Sequence, residues 1–414
     1  MPSKIMSSVA FNPASMNLRY AAVASCGASA FIDMYATQPL LPELRTLFAT
    51  SEAAVAWTIS ALTLACALAA PFAGPLADRL GRKRVIVTSI ALLGMVTLGA
   101  ATATTLPGLI AWRFAQGLLM PGIFATTLAY IAEEFPAAVG GRAVGAYIGG
   151  NVLGGFLGRY LSALIAPHFH WQGAFVVLGC LNFAGAVLVL AALPRARHFT
   201  RSTSLGAALA AVGRFVRDPV LIAIFAIGGS VLFTLVAAFT FATFYLAGSP
   251  FDLSTFALGN VFAVYLLGVV ATPLSGLLID RVGHRNTLLI ALATSAAGIA
   301  LALVPSVSAV VAGLAVMSAG VFCAQAASQG FIGVYVTGSR STAASLYLTV
   351  YYVGGALGAV APAFAWSHGG WPATVLEIFV VQVFAAVLAA LVWPRKPSTH
   401  PQPVIGAVLD EGAR

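Results

Sequence analysis

Charge is what this sequence has least of. Only 8% of its 414 residues are Asp, Glu, Lys or Arg, while 60% are hydrophobic; a soluble domain carries about 25% charged residues. A chain so poor in charge cannot cover a water-facing surface, which excludes an ordinary soluble protein and makes lipid the solvent. Cysteine is scarce as well. Cys26, Cys66, Cys180 and Cys323 stand singly inside apolar runs with no histidine beside them. Neither a disulfide framework nor a zinc site is indicated, and no metal or cofactor is expected. Also missing are a Gly-rich phosphate loop ending in Lys-Ser/Thr, a His-Glu-x-x-His helix and any Ser/His/Asp grouping, so no enzyme chemistry is read here. Basic residues outnumber acidic ones 21 to 12. They lie in short loops between apolar runs, where they report membrane orientation and not a nucleic-acid partner.

Long apolar runs are what the chain has in abundance. A helix needs about 20 apolar residues to cross roughly 30 Å of hydrocarbon, and barrel strands would alternate in shorter segments. The predicted class is therefore an all-α membrane protein. Twelve spans are expected, at about 20–41, 54–77, 85–105, 107–131, 142–166, 172–193, 220–246, 256–279, 287–305, 308–332, 343–366 and 373–393. The polar first 17 residues hold a single lysine and precede a long run that opens the series, so that run reads as a retained span and not a cleaved signal. The longest interior gap, 194–219, carries Arg195, Arg197, Arg201, Arg214 and Arg217. It divides the chain into 1–193, a basic linker, and 220–414. If the N-terminus lies inside, Arg79, Arg82, Lys83, Arg84, Arg142, Arg281, Arg285 and Arg340 join the linker on the cytoplasmic side, and only Arg45 stands out among the outer loops. Both termini are accordingly expected in the cytoplasm.

The two halves repeat one another. Gly74-Pro-Leu-Ala-Asp78-Arg79-Leu-Gly81-Arg82-Lys83-Arg84 recurs as Gly276-Leu-Leu-Ile-Asp280-Arg281-Val-Gly283-His284-Arg285, at an offset of 202. Gly154-Gly155-Phe-Leu-Gly158 is echoed 200 residues later by Gly354-Gly355-Ala-Leu-Gly358, and Trp171 by Trp371. A parallel duplication of six spans is the architecture this implies.

On those residues the chain resembles the major facilitator superfamily over essentially its whole length. Gly74 to Arg84 resembles the family's loop 2–3 signature, and Gly276 to Arg285 its weaker copy in loop 8–9. Leu109-Ile-Ala-Trp-Arg113-Phe-Ala-Gln116-Gly117 resembles a motif of proton-coupled members. Span five, with Gly145, Gly149, Gly150, Gly154 and Gly155, resembles the antiporter motif of the twelve-span drug:proton branch. It departs from that motif in having Gly150-Asn151 where a Gly-Pro pair is usual. Thr37-Gln-Pro-Leu-Leu-Pro42 is similar to arabinose- and drug-efflux relatives. The resemblance implies a monomeric, multi-pass secondary transporter of a bacterial inner membrane that moves a small organic molecule. Export against protons is the expected mode, with uptake of a sugar or organic acid by proton symport as the alternative.

Charges within spans narrow the candidates, because each costs at least about 2.5–3.5 kcal/mol at the bilayer centre. Asp33, Arg113, Arg159 and Glu377 qualify. Asp33 and Arg113 are expected at similar depth. Three roles fit them: a proton carrier with a tuning charge, a permanent clamp, or contact with a charged substrate. Arginine does not deprotonate, so Asp33 is the expected carrier. Arg159 fits either an anionic substrate or a charge balancing Asp33. Gln38, Asn151 and Tyr351 are candidate cavity residues. The signature residues Gly74, Asp78, Arg79, Gly81, Arg82, Asp280 and Arg281 fit a gate between states or a cluster that only fixes orientation.

Overall fold

The structure, a computed structural model, describes residues 13–194, 196, 211–336 and 340–393. Among them helices account for nearly all the regular structure, and nine are long and apolar enough to cross a bilayer. The first half comprises α1 (Pro13–Ile32), α2 (Leu41–Leu47), α3 (Glu52–Leu80), α4 (Arg82–Ala100), α5 (Leu106–Glu134) and α6 (Ala137–Ala192). The second comprises α7 (Pro219–Ala247), α8 (Thr255–Val261), α9 (Gly268–Leu301), α10 (Val307–Tyr335), α11 (Arg340–Val360) and α12 (Pro362–Leu391). Side-chain oxygens start several of them. Ser51, Thr105 and Ser254 accept from the backbone amides three residues on, and Asp218 caps α7 ahead of Pro219. Each satisfies an amide that the first helical turn leaves unpaired.

Three helices carry sharp breaks where the sequence leads one to expect turns. α6 breaks at Phe169 (φ −130°) and His170 (φ 56°), α12 at Gly369 and Gly370 (φ 58°), and α9 at Gly283 (φ 80°). Gly283 corresponds to Gly81, which has φ 91° between α3 and α4. Both signature glycines thus hold a left-handed backbone that other residues adopt at a cost. His170 and Gly370 lie 200 residues apart with nearly equal φ, so the duplication extends to a turn whose residue types hide it.

The breaks in spans one and eight are not those expected. The run 20–41 is predicted as one continuous helix, but α1 begins at Pro13 and stops at Ile32. The backbone then turns through 33–37 and makes a 3-10 turn at Gln38–Leu40 before α2. Between α8 and α9, Phe262–Leu267 is a tighter 3-10 segment. Both irregular stretches face the same buried region, described below.

α1 lies against the first part of α6, and α7 against α11, through matched glycines. A Cβ on Gly158 would overlap the Ile32 carbonyl, and one on Gly358 the Phe233 carbonyl. Backbones approach that closely only where the side chain is absent. Opposite the basic loops the halves are joined. Gln38 donates to Thr240 Oγ1 at 3.3 Å, Ser60 donates to the Ala356 carbonyl at 2.9 Å, and Tyr160 meets Phe256. At the basic end Gly74, Gly140, Gly141, Gly145 and Gly276 face open space. The bundle is closed at the end away from the basic loops.

Candidate functional site

Arg113 explains how span one can be broken inside lipid. Non-helical backbone at membrane depth needs its polar groups satisfied by protein. The Arg113 guanidinium, fully buried, donates to the carbonyls of Asp33 and Met34 at 2.7 Å each. Those two carbonyls sit at the open end of α1. Its Nε reaches the Thr58 carbonyl of α3 at 2.9 Å, and Nη1 also bonds Gln116 Oε1 at 2.7 Å. Gln116 in turn donates to Thr97 at 2.8 Å. Arg113 therefore ties α1, α3 and α5 together through neutral main-chain acceptors.

The Asp33 carboxylate is left outside that arrangement. Side-chain pairing of Asp33 with Arg113 is a sequence expectation, but the structure brings them together through the Asp33 main chain. Asp33 is fully buried, Oδ2 accepts from Asn182 Nδ2 at 2.5 Å, and Oδ1 has no hydrogen-bond partner. Among the described residues no cation lies within ion-pair distance of it.

Arg159 occupies a different setting, close to the seam between the halves. It is buried, its Nε donates to Gln38 Oε1 at 2.7 Å, and Nη1 donates to the Gly155 carbonyl at 2.6 Å. Around its guanidinium stand Tyr35 at 4.5 Å, Tyr265 at 4.6 Å, Phe262 at 5.1 Å and Phe239 at 5.8 Å. Three of those rings come from the second half. Desolvated guanidinium–ring contacts are worth about 2 kcal/mol or more, and no carboxylate pairs with the group among the described residues. The 3-10 segment after α8 supplies Phe262 and Tyr265 to this box.

The other candidates are dispersed. Gln38 joins Arg159 to Thr240, but Asn151 packs on α1 beside Gly27. Tyr351 stacks on Tyr347 at 5.8 Å and meets Tyr352 edge-on at 5.5 Å. Tyr352 stacks on Phe124 of the first half. In the basic loops Arg82 pairs with Asp78 at 2.7 Å and with Glu133 at 2.9 Å. Lys83 donates to the Leu190 carbonyl at 2.7 Å, and Arg285 to the Ala390 carbonyl at 2.8 Å. In each half a loop cation thus covers carbonyls at the end of the sixth span, where the helix dipole is negative. Arg79 and Arg281 are exposed.

The Major Facilitator Superfamily model matches residues 23–265 and 238–408. The chain belongs to the major facilitator superfamily. It is 30% identical over 369 residues to the inner membrane transport protein YnfM of Escherichia coli K12, spanning 89% of this chain and 88% of that one. An uncharacterized transporter of Buchnera aphidicola (Schizaphis graminum) is 29% identical over 364 residues, 88% of each chain. Among solved structures it resembles a D-xylose-proton symporter, with TM-score 0.76, 15% identity and coverage of 93% and 100%. It also resembles a bacterial homologue of the human lysosomal transporter Spinster in its inward-facing, unoccupied conformation, with TM-score 0.74, 17% identity and coverage of 92% and 97%. At such identities the structures speak for the fold. The chain is a multi-pass superfamily transporter of a bacterial inner membrane.

Within this superfamily member, sequence reasoning missed Asn182 and the ring box of Phe239, Phe262 and Tyr265. Asn182 is the one side-chain amide in the interior of the sixth span, with Gln172 at its start, which was a usable signal. The rings gave none, since aromatics occur in most of the spans.

Proposed function

We propose that this superfamily member is a proton-coupled antiporter that exports a small organic compound, drug-like or sugar-like, by alternating access. Asp33 is the proton carrier and Arg113 fixes the broken backbone beside it. Gln38, Asn151, Arg159 and Tyr351 contribute to the substrate path, with Arg159 taking an anionic group or balancing Asp33. The protein works as a monomer of twelve spans, 1–193 and 220–414 joined by the linker 194–219. Both termini are cytoplasmic, so the basic end is the inner one. Asp78 with Gly74, Arg79, Gly81 and Arg82, and Asp280 with Arg281, form the gating loops.

The observation that carries this reading is the buried carboxylate of Asp33 without an ion-pair partner. Arg113 directs its donors to carbonyls and Gln116, so no fixed salt bridge holds Asp33 ionised. A buried charge in that position is costly, and taking up a proton removes the cost.

Everted vesicles test it. Compounds found by a growth-inhibition and sugar-export screen of overproducing cells are added to vesicles with a preformed acid interior. Antiport dissipates the gradient on addition, and Asp33→Asn abolishes that response. Undiminished gradient-driven transport by Asp33→Asn removes the coupling role. Accumulation of compound by whole cells in step with proton entry would instead assign uptake symport.

A further inference from the structure

Asn182 lies in the second part of α6, in the run Gly179-Cys-Leu-Asn182-Phe-Ala-Gly185, and is fully buried. Its Nδ2 supplies the hydrogen bond to Asp33 Oδ2. Its other end, Oδ1, is buried with no partner, and so is Asp33 Oδ1. A buried pair with two uncovered acceptor oxygens and one donor between them lacks a hydrogen. Among the described residues no side chain around it hydrogen-bonds to Asp33 Oδ1 or Asn182 Oδ1. From α5 Arg113 is the charged group facing Asp33, and four of its five N–H donors are engaged by carbonyls and Gln116. Gln116 is engaged at both ends, by Arg113 and Thr97. From α4 Thr97 faces the carboxylate with its hydroxyl.

We propose that Asn182 is a positioning residue for the proton on Asp33, holding the carboxyl in both protonation states by turning its side-chain amide over. With Asp33 ionised, Nδ2–H donates to Oδ2. When a hydronium ion gives up a proton and departs as water, an O–H bond forms at Oδ2; half a turn about the Cβ–Cγ bond then puts Asn182 Oδ1 where Nδ2 was, and it accepts that hydrogen. The amide oxygen and nitrogen are nearly the same size, one an acceptor and the other a donor, so the turn needs no repacking. The 2.5 Å separation also lies in the range of O–H···O bonds. A carboxylate with a fixed donor, such as a lysine, would be held in one form, whereas an amide serves either. The inference rests on the reading of Asp33 as proton carrier.

Infrared difference spectra of the purified full-length protein, taken across a pH titration, test both and separate them. The wild type should show a carboxylic acid C=O stretch at low pH that is lost in Asp33→Asn. In Asn182→Leu that stretch should move to higher wavenumber, because its hydrogen no longer meets the amide oxygen. Asn182→Asp keeps the size of the side chain, so it guards against misfolding of the leucine variant. Two carboxyls this close cannot both ionise readily, so its acid band should persist at least about one pH unit higher, a tenfold change in proton affinity. An Asp33 band at the same wavenumber in wild type and Asn182→Leu, or an unmoved midpoint in Asn182→Asp, overturns the inference and leaves proton coupling standing. A wild-type spectrum with no Asp33 acid band at any pH overturns the coupling reading and the inference with it.

Discussion

At the scale of single residues, the two buried arginines do different work. Arg113 meets carbonyls freed by the end of α1, and Arg159 meets rings. Removing Arg113 takes its donors from the Met34 carbonyl and from the Asp33 carbonyl, which keeps only the Ala36 N–H at 3.3 Å, and a buried acceptor left without a donor costs about 1–3 kcal/mol. Arg113→Leu is therefore expected to lower thermal stability in detergent sharply, and Arg113→Lys, which lacks the planar fork, to recover only part of it. Asp33→Asn leaves the main-chain carbonyl in place and should cost far less. Equal unfolding temperatures for Arg113→Leu and wild type would refute the clamp. The sequence identified both arginines and Asp33 as costly intramembrane charges, because burial of charge is legible from the apolar run around it. It pointed to a side-chain pair because spacing does not reveal where a helix stops and main-chain carbonyls become acceptors.

Among the elements, the duplication read from glycines, the acidic–basic signature and two tryptophans persists in the structure, and it reaches where residue types diverge. Trp371 donates to the Ala302 carbonyl at 2.7 Å, while the Trp171 indole N–H has no partner. The turn between the fifth and sixth spans places His170 at φ 56° and ψ 170°, a region essentially reserved for glycine that costs about 1–3 kcal/mol. Its counterpart Gly370 holds a similar φ without that cost. His170→Gly should therefore raise thermal stability by about 1 kcal/mol, and Gly370→Ala should lower it by a similar amount. Thermal unfolding of the two variants checks the opposite signs; a loss in both would show that His170 is held by contacts worth more than the strain. The break at 262–267 was not legible, since that stretch is as apolar as continuous helix, whereas Pro39 and Pro42 just after 33–37 were a usable signal for the first. What holds the two breaks is tertiary: Arg113 receives the carbonyls of the first, and Arg159 receives the rings of the second.

For the whole molecule, the box around Arg159 joins the halves at the end away from the basic loops. The cation comes from the first half, while Phe239, Phe262 and Tyr265 come from the second. Opening that end must part the guanidinium from three rings and break the Gln38–Thr240 bond. By rocking of two halves about a central site, those contacts stabilise the observed closed arrangement relative to its opposite. At about 2 kcal/mol or more for a desolvated ring contact, their loss is enough to shift a two-state equilibrium by tenfold or more. Arg159→Leu should accordingly populate the form open at that end. Thr240 is buried at the seam, so a cysteine introduced there reports the opening directly. In Thr240→Cys protein, a membrane-impermeant maleimide added from the side away from the basic loops should label slowly, with the parent chain giving the background from its own four cysteines. Adding Arg159→Leu should raise the rate several-fold, whereas Asp78→Asn, at the other end, should raise it only if the loop pair also sets the balance between states. Unchanged labelling with Arg159→Leu would mean that helix packing alone keeps this end shut and that the ring box is a shelter for the cation, not a latch.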